Sequence, residues 1–106
     1  MCGTPPQLMT ELKAGLVQLY GPRLHVLCLF GSYARGEADA ESDVDVLIVL
    51  HDFARYGAEV DRTSELVASL SLKHGVSIST VFVRRADWVH ADTPFLANVR
   101  KEAIAA

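Results

Sequence analysis

Cysteine is almost absent. Cys2 and Cys28 are the only two in 106 residues. Their separation matches no metal-ligand spacing, and no disulfide is expected of a cytoplasmic protein; Cys28, in an apolar run, reads as a small buried hydrophobe. Positive charge is also short: ten Lys and Arg face thirteen Asp and Glu, for a net charge of −3. A binder of long nucleic acid needs a basic footprint, so no long nucleic acid is expected as a partner. No apolar run approaches the roughly 20 residues of a membrane span. The N-terminal MCGTPPQLMTELK lacks the basic-then-apolar pattern of a signal peptide, so the expectation is a cytoplasmic protein without a membrane partner. His25, His51, His74 and His90 are scattered and suggest no zinc site. There is no repeat, low-complexity tract or internal linker, and residues 1–106 read as a single domain. One further absence matters most below: Leu66 to Ala86 contains no Asp or Glu.

What is present is enough apolar sequence for a packed core, half of all residues. Thr4-Pro5-Pro6-Gln7 reads as a helix start, with Thr4 as cap, Pro5 at the first helical position and Gln7 closing a capping box. Leu8, Leu12, Leu16 and Leu19 then recur at helical spacing, and Gly21-Pro22 ends the helix. Leu24 to Phe30 has the length and β-rich composition of a buried strand. After a second strand, a helix is predicted to run to about Lys73, with Val60, Thr63, Val67 and Leu70 on one face and Gly75 as terminator. Val76 to Val83 alternates as a third strand, with Ser77, Ser79, Val81 and Val83 on one side. Arg84-Arg85 follow; they could reach a triphosphate or form a solvated strand end. Asp87-Trp88-Val89 suggests a helical turn. Thr93-Pro94 starts a last helix carrying Phe95, Leu96, Val99 and Ile104.

The stretch from Leu24 to Leu50 organises the rest. The first apolar run stops at Gly31-Ser32, ten mostly polar residues follow, and Asp43-Val44-Asp45 opens a second apolar run, Val46 to Leu50. On a strand, residues i and i+2 share a face, so Asp43 and Asp45 should project together. Two adjacent carboxylates repel unless a cation lies between them, and hard oxygen ligands suit Mg²⁺ shared with substrate phosphates. Gly31 lets an anion approach the backbone, and Ser32 can offer its N–H and hydroxyl. Ten residues are too few for a typical parallel crossover, so an antiparallel return should bring Gly31-Ser32 beside the two aspartates. Arg35, between them, could pair with a nucleotide phosphate or balance Glu37 and Asp39.

Gly31, Ser32, Asp43 and Asp45 together form Gly-Ser, ten residues, Asp-x-Asp. This resembles the motif of the minimal nucleotidyltransferase family, of the DNA polymerase β-like superfamily. Ala34-Arg35-Gly36 and Ser42 are similar to that family's surroundings. The resemblance implies an α/β (α+β) palm-like fold, a mixed sheet of about three or four strands with helices packed mainly on one face. It implies nucleotide binding by Gly31, Ser32, Arg35 and Ser42, and Asp43 and Asp45 as catalytic metal ligands for Mg²⁺ with ATP or another nucleoside triphosphate. Fully equipped members place a third carboxylate on the next strand; the matching position here is Ser79, which weakens the metal that activates the nucleophile.

The chain has no room for an acceptor domain, so an acceptor must dock from outside. The resemblance implies a helical HEPN-type partner, with this chain as antitoxin, moving AMP from ATP to a partner hydroxyl. Two alternatives stand beside it. One is a catalytically weak nucleotide-binding adaptor that neutralises a helical partner by contact. The other is small-molecule nucleotidylation, for which a homo-oligomer could create a cleft.

Overall fold

Leu8, Leu12, Leu16 and Tyr20 lie four residues apart and form one buried stripe along α1 (Pro5–Tyr20). Leu19, one step round the helix, is exposed instead, because the stripe continues at the strict four-residue interval to Tyr20. The structure is a computed structural model and describes residues 5–36, 43–90 and 93–105. After α1 and a 3₁₀ turn at Gly21–Arg23 come β1 (Leu24–Phe30), the one-turn α2 (Ser32–Arg35) and β2 (Val44–Leu50). Then follow α3 (Tyr56–His74), β3 (Ile78–Arg84), α4 (Arg85–His90), α5 (Pro94–Glu102) and a two-residue β4 (Ile104–Ala105).

The strand order is β3-β2-β1-β4. β1 and β2 pair antiparallel, as the short connection between them requires, with Phe30 opposite Asp45. β2 and β3 run parallel, joined by the α3 crossover, and β4 lies antiparallel to β1. This is the mixed α/β sheet expected, extended by β4 at one edge.

The alternation along β2 divides the core. Val44, Val46, Ile48 and Leu50 face the two long helices and pack with Leu8, Leu12, Leu16, Phe53 and Leu70. Leu47 and Val49 face the other way and pack with Cys28, Phe30, Val83, Leu96 and Val99. The long helices therefore cover one face, while α4 and α5 lie over part of the second. Cys28 is a small buried hydrophobe on that second face. Thr93 caps α5 by accepting a hydrogen bond from the Leu96 N–H at 3.2 Å, and Pro94 occupies the first turn.

Helices α1 and α3 meet closely because Gly15 has no side chain; a Cβ there would lie 2.7 Å from Leu66 Cδ2. Two polar contacts fix the pair. At the outer end, Glu11 accepts from Lys73 Nζ at 2.6 Å and lies 2.8 Å from His74 Nε2. These bonds, Lys73 foremost, hold the Glu11 carboxyl down at about 2. At the inner end, Tyr20 donates to Glu59 Oε1 at 2.7 Å, and Arg62 Nε reaches the same oxygen at 3.2 Å. Burial, and then the bond to Glu59, push the Tyr20 hydroxyl above its ordinary value.

Glu59 is buried, which its sequence context did not suggest. The inward face of α3 runs through Glu59, Thr63, Leu66 and Leu70, and Val60 is turned outward. The Tyr20 hydroxyl is what makes a carboxylate tolerable there. Tyr20→Phe removes that donor and leaves Glu59 leaning on Arg62 alone. The expected loss is about 1–3 kcal/mol, read as a lower urea midpoint with unchanged slope.

Candidate active site

Gly31 sits at the junction of β1 and α2 with φ of 74°, a backbone conformation that side-chain-bearing residues rarely adopt. Asp45 faces it from the neighbouring strand. A Cβ added at Gly31 would collide with Asp45 Oδ2 and lie 3.1 Å from Asp45 Cγ. The glycine is thus required twice, by the turn and by the carboxylate pressed against it. The antiparallel register places them so, because Phe30, just before Gly31, is the partner of Asp45.

Asp45 shares its sheet face with Leu47 and Val49, so it belongs to the surface partly covered by α5. Asp43 was expected on the strand with it. The strand instead begins at Val44, and Asp43 stands one residue ahead of it, exposed. The β1 ladder ends at Phe30 and Asp45, and the β3 ladder begins at Val44 and Ile78. Beyond them, the Val44 N–H donates to the Ser77 carbonyl at 2.8 Å, which fixes the strand start beside β3. Asp43 therefore lies exposed at the end of the sheet, one residue ahead of the strand that carries Asp45.

Ser79 is the direct register partner of Asp45 across the parallel pair. The residue that the resemblance matches to a third carboxylate therefore lies beside Asp45, and it carries a hydroxyl. Ser32 opens α2 and Arg35 closes it, so both follow Gly31 in the backbone. Their side chains lie outside what the structure describes, as does Ser42 altogether.

Arg84 is not brought to this site. It stacks over Phe53, donates to the Phe53 carbonyl at 3.0 Å and pairs with Asp52 at 3.2 Å. Its register partner is Leu50, five residues along β2 from Asp45, roughly 17 Å away at strand rise. Arg85 begins α4 beyond it. The structure instead contributes a residue that the motif did not point to. Glu102, at the end of α5, accepts a hydrogen bond from the Gly31 N–H at 3.1 Å. A cavity of about 550 Å³ is lined by Gly31, Asp45, Phe95, Asn98, Lys101 and Glu102 among others. Nothing in the spacing of α5 could have revealed this, since the contact joins residues 71 apart in sequence.

The carboxylate oxygens are donors of the kind a hard divalent cation takes, and one or two of them would hold it together with ligands from outside the protein. Among the described residues, no group of three or more acidic, His or Cys side chains is placed to hold a metal ion.

The family model described as "Nucleotidyltransferase domain" matches residues 9–103. Two proteins of Methanocaldococcus jannaschii are similar in sequence, both provisionally named protein adenylyltransferases, MJ0141 and MJ0604. The first is 33% identical over 74% of this chain and 79% of its own length. The second is 34% identical over 74% of this chain and 78% of its own. Among solved structures, a chain of a toxin–antitoxin complex with AMP-PNP superposes with a TM-score of 0.63 at 21% identity. The match covers 89% of this chain and 68% of that one. A chain from the tri-AMPylated Shewanella oneidensis HEPN toxin in complex with MNT antitoxin gives 0.53 at 19% identity, over 92% of this chain and 70% of that one. At these identities the structural likeness establishes the fold.

Gly31→Ala tests the double constraint. The left-handed backbone alone should cost about 1–2 kcal/mol, and, if the site takes a metal-bound nucleotide, displacing the Asp45 carboxylate should abolish that binding. Urea denaturation and titration calorimetry with Mg²⁺ and ATP read the two effects separately.

Proposed function

The chain belongs to the nucleotidyltransferase domain family, and from that premise we propose that it transfers AMP from ATP to a hydroxyl of a partner protein in an Mg²⁺-dependent reaction. The observation that carries this reading is the Asp45 carboxylate held against the Gly31 turn, with Asp43 one residue ahead of the same strand. The acceptor oxygen bonds to the α-phosphorus as the bridge to the β-phosphate breaks. Pyrophosphate leaves, and the hydroxyl proton passes to solvent. Mg²⁺, when bound, neutralises the triphosphate and favours the attacking and leaving oxygens.

The protein's own part is placement. Asp43 and Asp45 supply the carboxylates. The Gly31 backbone and Ser32, at the start of α2, take the β- and γ-phosphates. Arg35 and Ser42 are assigned to the nucleotide on the motif alone. The acceptor comes from outside the chain. The names of the structural neighbours, toxin–antitoxin complexes including an AMPylated HEPN toxin, support a helical HEPN-type partner and an antitoxin role. No described helix is long and apolar enough to cross a membrane.

Ser79 supports a second reading. With a neutral oxygen beside Asp45, one of two catalytic metal positions is weak, and the chain acts as a nucleotide-binding adaptor that silences its partner by contact. The two readings separate in a transfer assay with the candidate partner, labelled ATP and Mg²⁺. If transfer is the function, Asp43→Ala and Asp45→Ala each reduce label on the partner by more than about 100-fold. Undiminished transfer in a folded variant overturns it. If contact is the function, neutralisation survives the double variant.

Ser79→Asp gives an independent measure. It should restore a third carboxylate next to Asp45 and raise transfer by about tenfold or more, with a lower Mg²⁺ requirement. A decrease would mean that Ser79 is no metal position.

A further inference from the structure

We infer that Glu102 is an internal stand-in for a nucleotide phosphate, occupying the Gly31 amide until a triphosphate displaces it. This rests on the nucleotide reading above and names a residue that sets the affinity of that same site. The Gly31 N–H already donates to an anion, the Glu102 Oε1, at 3.1 Å. Carboxylate and phosphate oxygens are the same class of acceptor, and this single N–H cannot serve both well. The contact lies in the cavity shared with Asp45, so the competing group sits inside the site.

Glu102 is held there by the backbone on both sides. Before it runs α5, whose Leu96 and Val99 are buried against the sheet. After it, the Ala103 N–H donates to the Val99 carbonyl at 2.8 Å, and Ile104 and Ala105 pair with Leu29 and Cys28. β4 is thus a short strap on β1 whose register delivers the carboxylate to the turn at the end of β1. Rotation of the Glu102 side chain clears the N–H without detaching the strap. Glu102 also adds negative charge to a cavity that holds Asp45, with Lys101 as the cation among its described lining residues. An incoming polyphosphate is disfavoured until it brings a divalent cation with it. The latch therefore selects the metal-loaded nucleotide over the free one.

The test uses the full chain with Glu102→Ala and Glu102→Gln, and Mg²⁺ with AMP-PNP as probe so that no turnover occurs. Calorimetry should give binding about tenfold tighter for Glu102→Ala, equivalent to about 1.4 kcal/mol. Glu102→Gln keeps an acceptor without the charge and should fall between. Metal-free AMP-PNP should gain more from either substitution than the Mg²⁺ complex does. In the absence of nucleotide, hydrogen exchange at the Gly31 amide, followed by NMR, should accelerate in Glu102→Ala while the remaining amides keep wild-type protection. Unchanged Gly31 exchange overturns the contact. Faster exchange with equal or weaker nucleotide binding overturns the competition and leaves the nucleotide reading standing. Binding by neither wild type nor variant, with faster Gly31 exchange, overturns the nucleotide reading and the inference with it.

Discussion

Everything at the candidate active site depends on one close approach, the Asp45 carboxylate against the α-carbon of Gly31. It is a constraint of excluded volume: any side chain at position 31 would occupy the space taken by Asp45 Oδ2. It is also a constraint of dihedral angle, since the chain must turn through positive φ to leave β1 and enter α2. A carboxylate and a tight backbone turn can share a few ångströms only if nothing fills the gap between them. The sheet supplies the precision, because the antiparallel register that sets Phe30 opposite Asp45 is locked by the buried residues of both strands.

The platform beneath is built to hold that end of the sheet still. Alternation along β2 sends one set of side chains into the helical layer of α1 and α3, and the other towards α5. Asp45 is the polar member of the second set, at the strand end where burial gives way to solvent. The helical layer is fastened by polar contacts as well as apolar ones. The Tyr20, Glu59 and Arg62 cluster and the Glu11, Lys73 and His74 cluster bracket the α1–α3 contact. Neither cluster touches the site; both work through the position of the sheet.

Two features flank Asp45 and Gly31. Ser79 is the register partner of Asp45, so a neutral hydroxyl lies next to the carboxylate. A hydroxyl is a weaker ligand for a hard divalent cation than a carboxylate is. Glu102 reaches the same site from the far end of the chain and binds the turn instead of the strand. Its reach is set by β4, two residues long, so a very small element of structure brings a charged group to the Gly31 turn.

Much of this was legible in the sequence. The apolar runs gave β1 and β2, the ten-residue interval gave their antiparallel return, and that return set Asp45 beside the Gly31 turn as expected. These signals are local, and local chemistry dictates them: turn-compatible glycine, alternating burial and helix caps. The errors fell where a neighbour decides. Leu19 and Val60 fit helical spacing but face solvent, whereas Tyr20 and Glu59 are inside because each supplies the other's hydrogen bond across two helices. Asp43 lies ahead of its strand because the pairing strands end or begin beside Val44. The sequence by itself determined the strands, the long helices and the antiparallel return, since these follow from periodicity and spacing along the chain. Only the tertiary structure decided that Asp45 lies against Gly31, that Ser79 stands beside it and that Glu102 holds the turn. Those depend on register and on contacts between distant segments, which are fixed when the whole core packs.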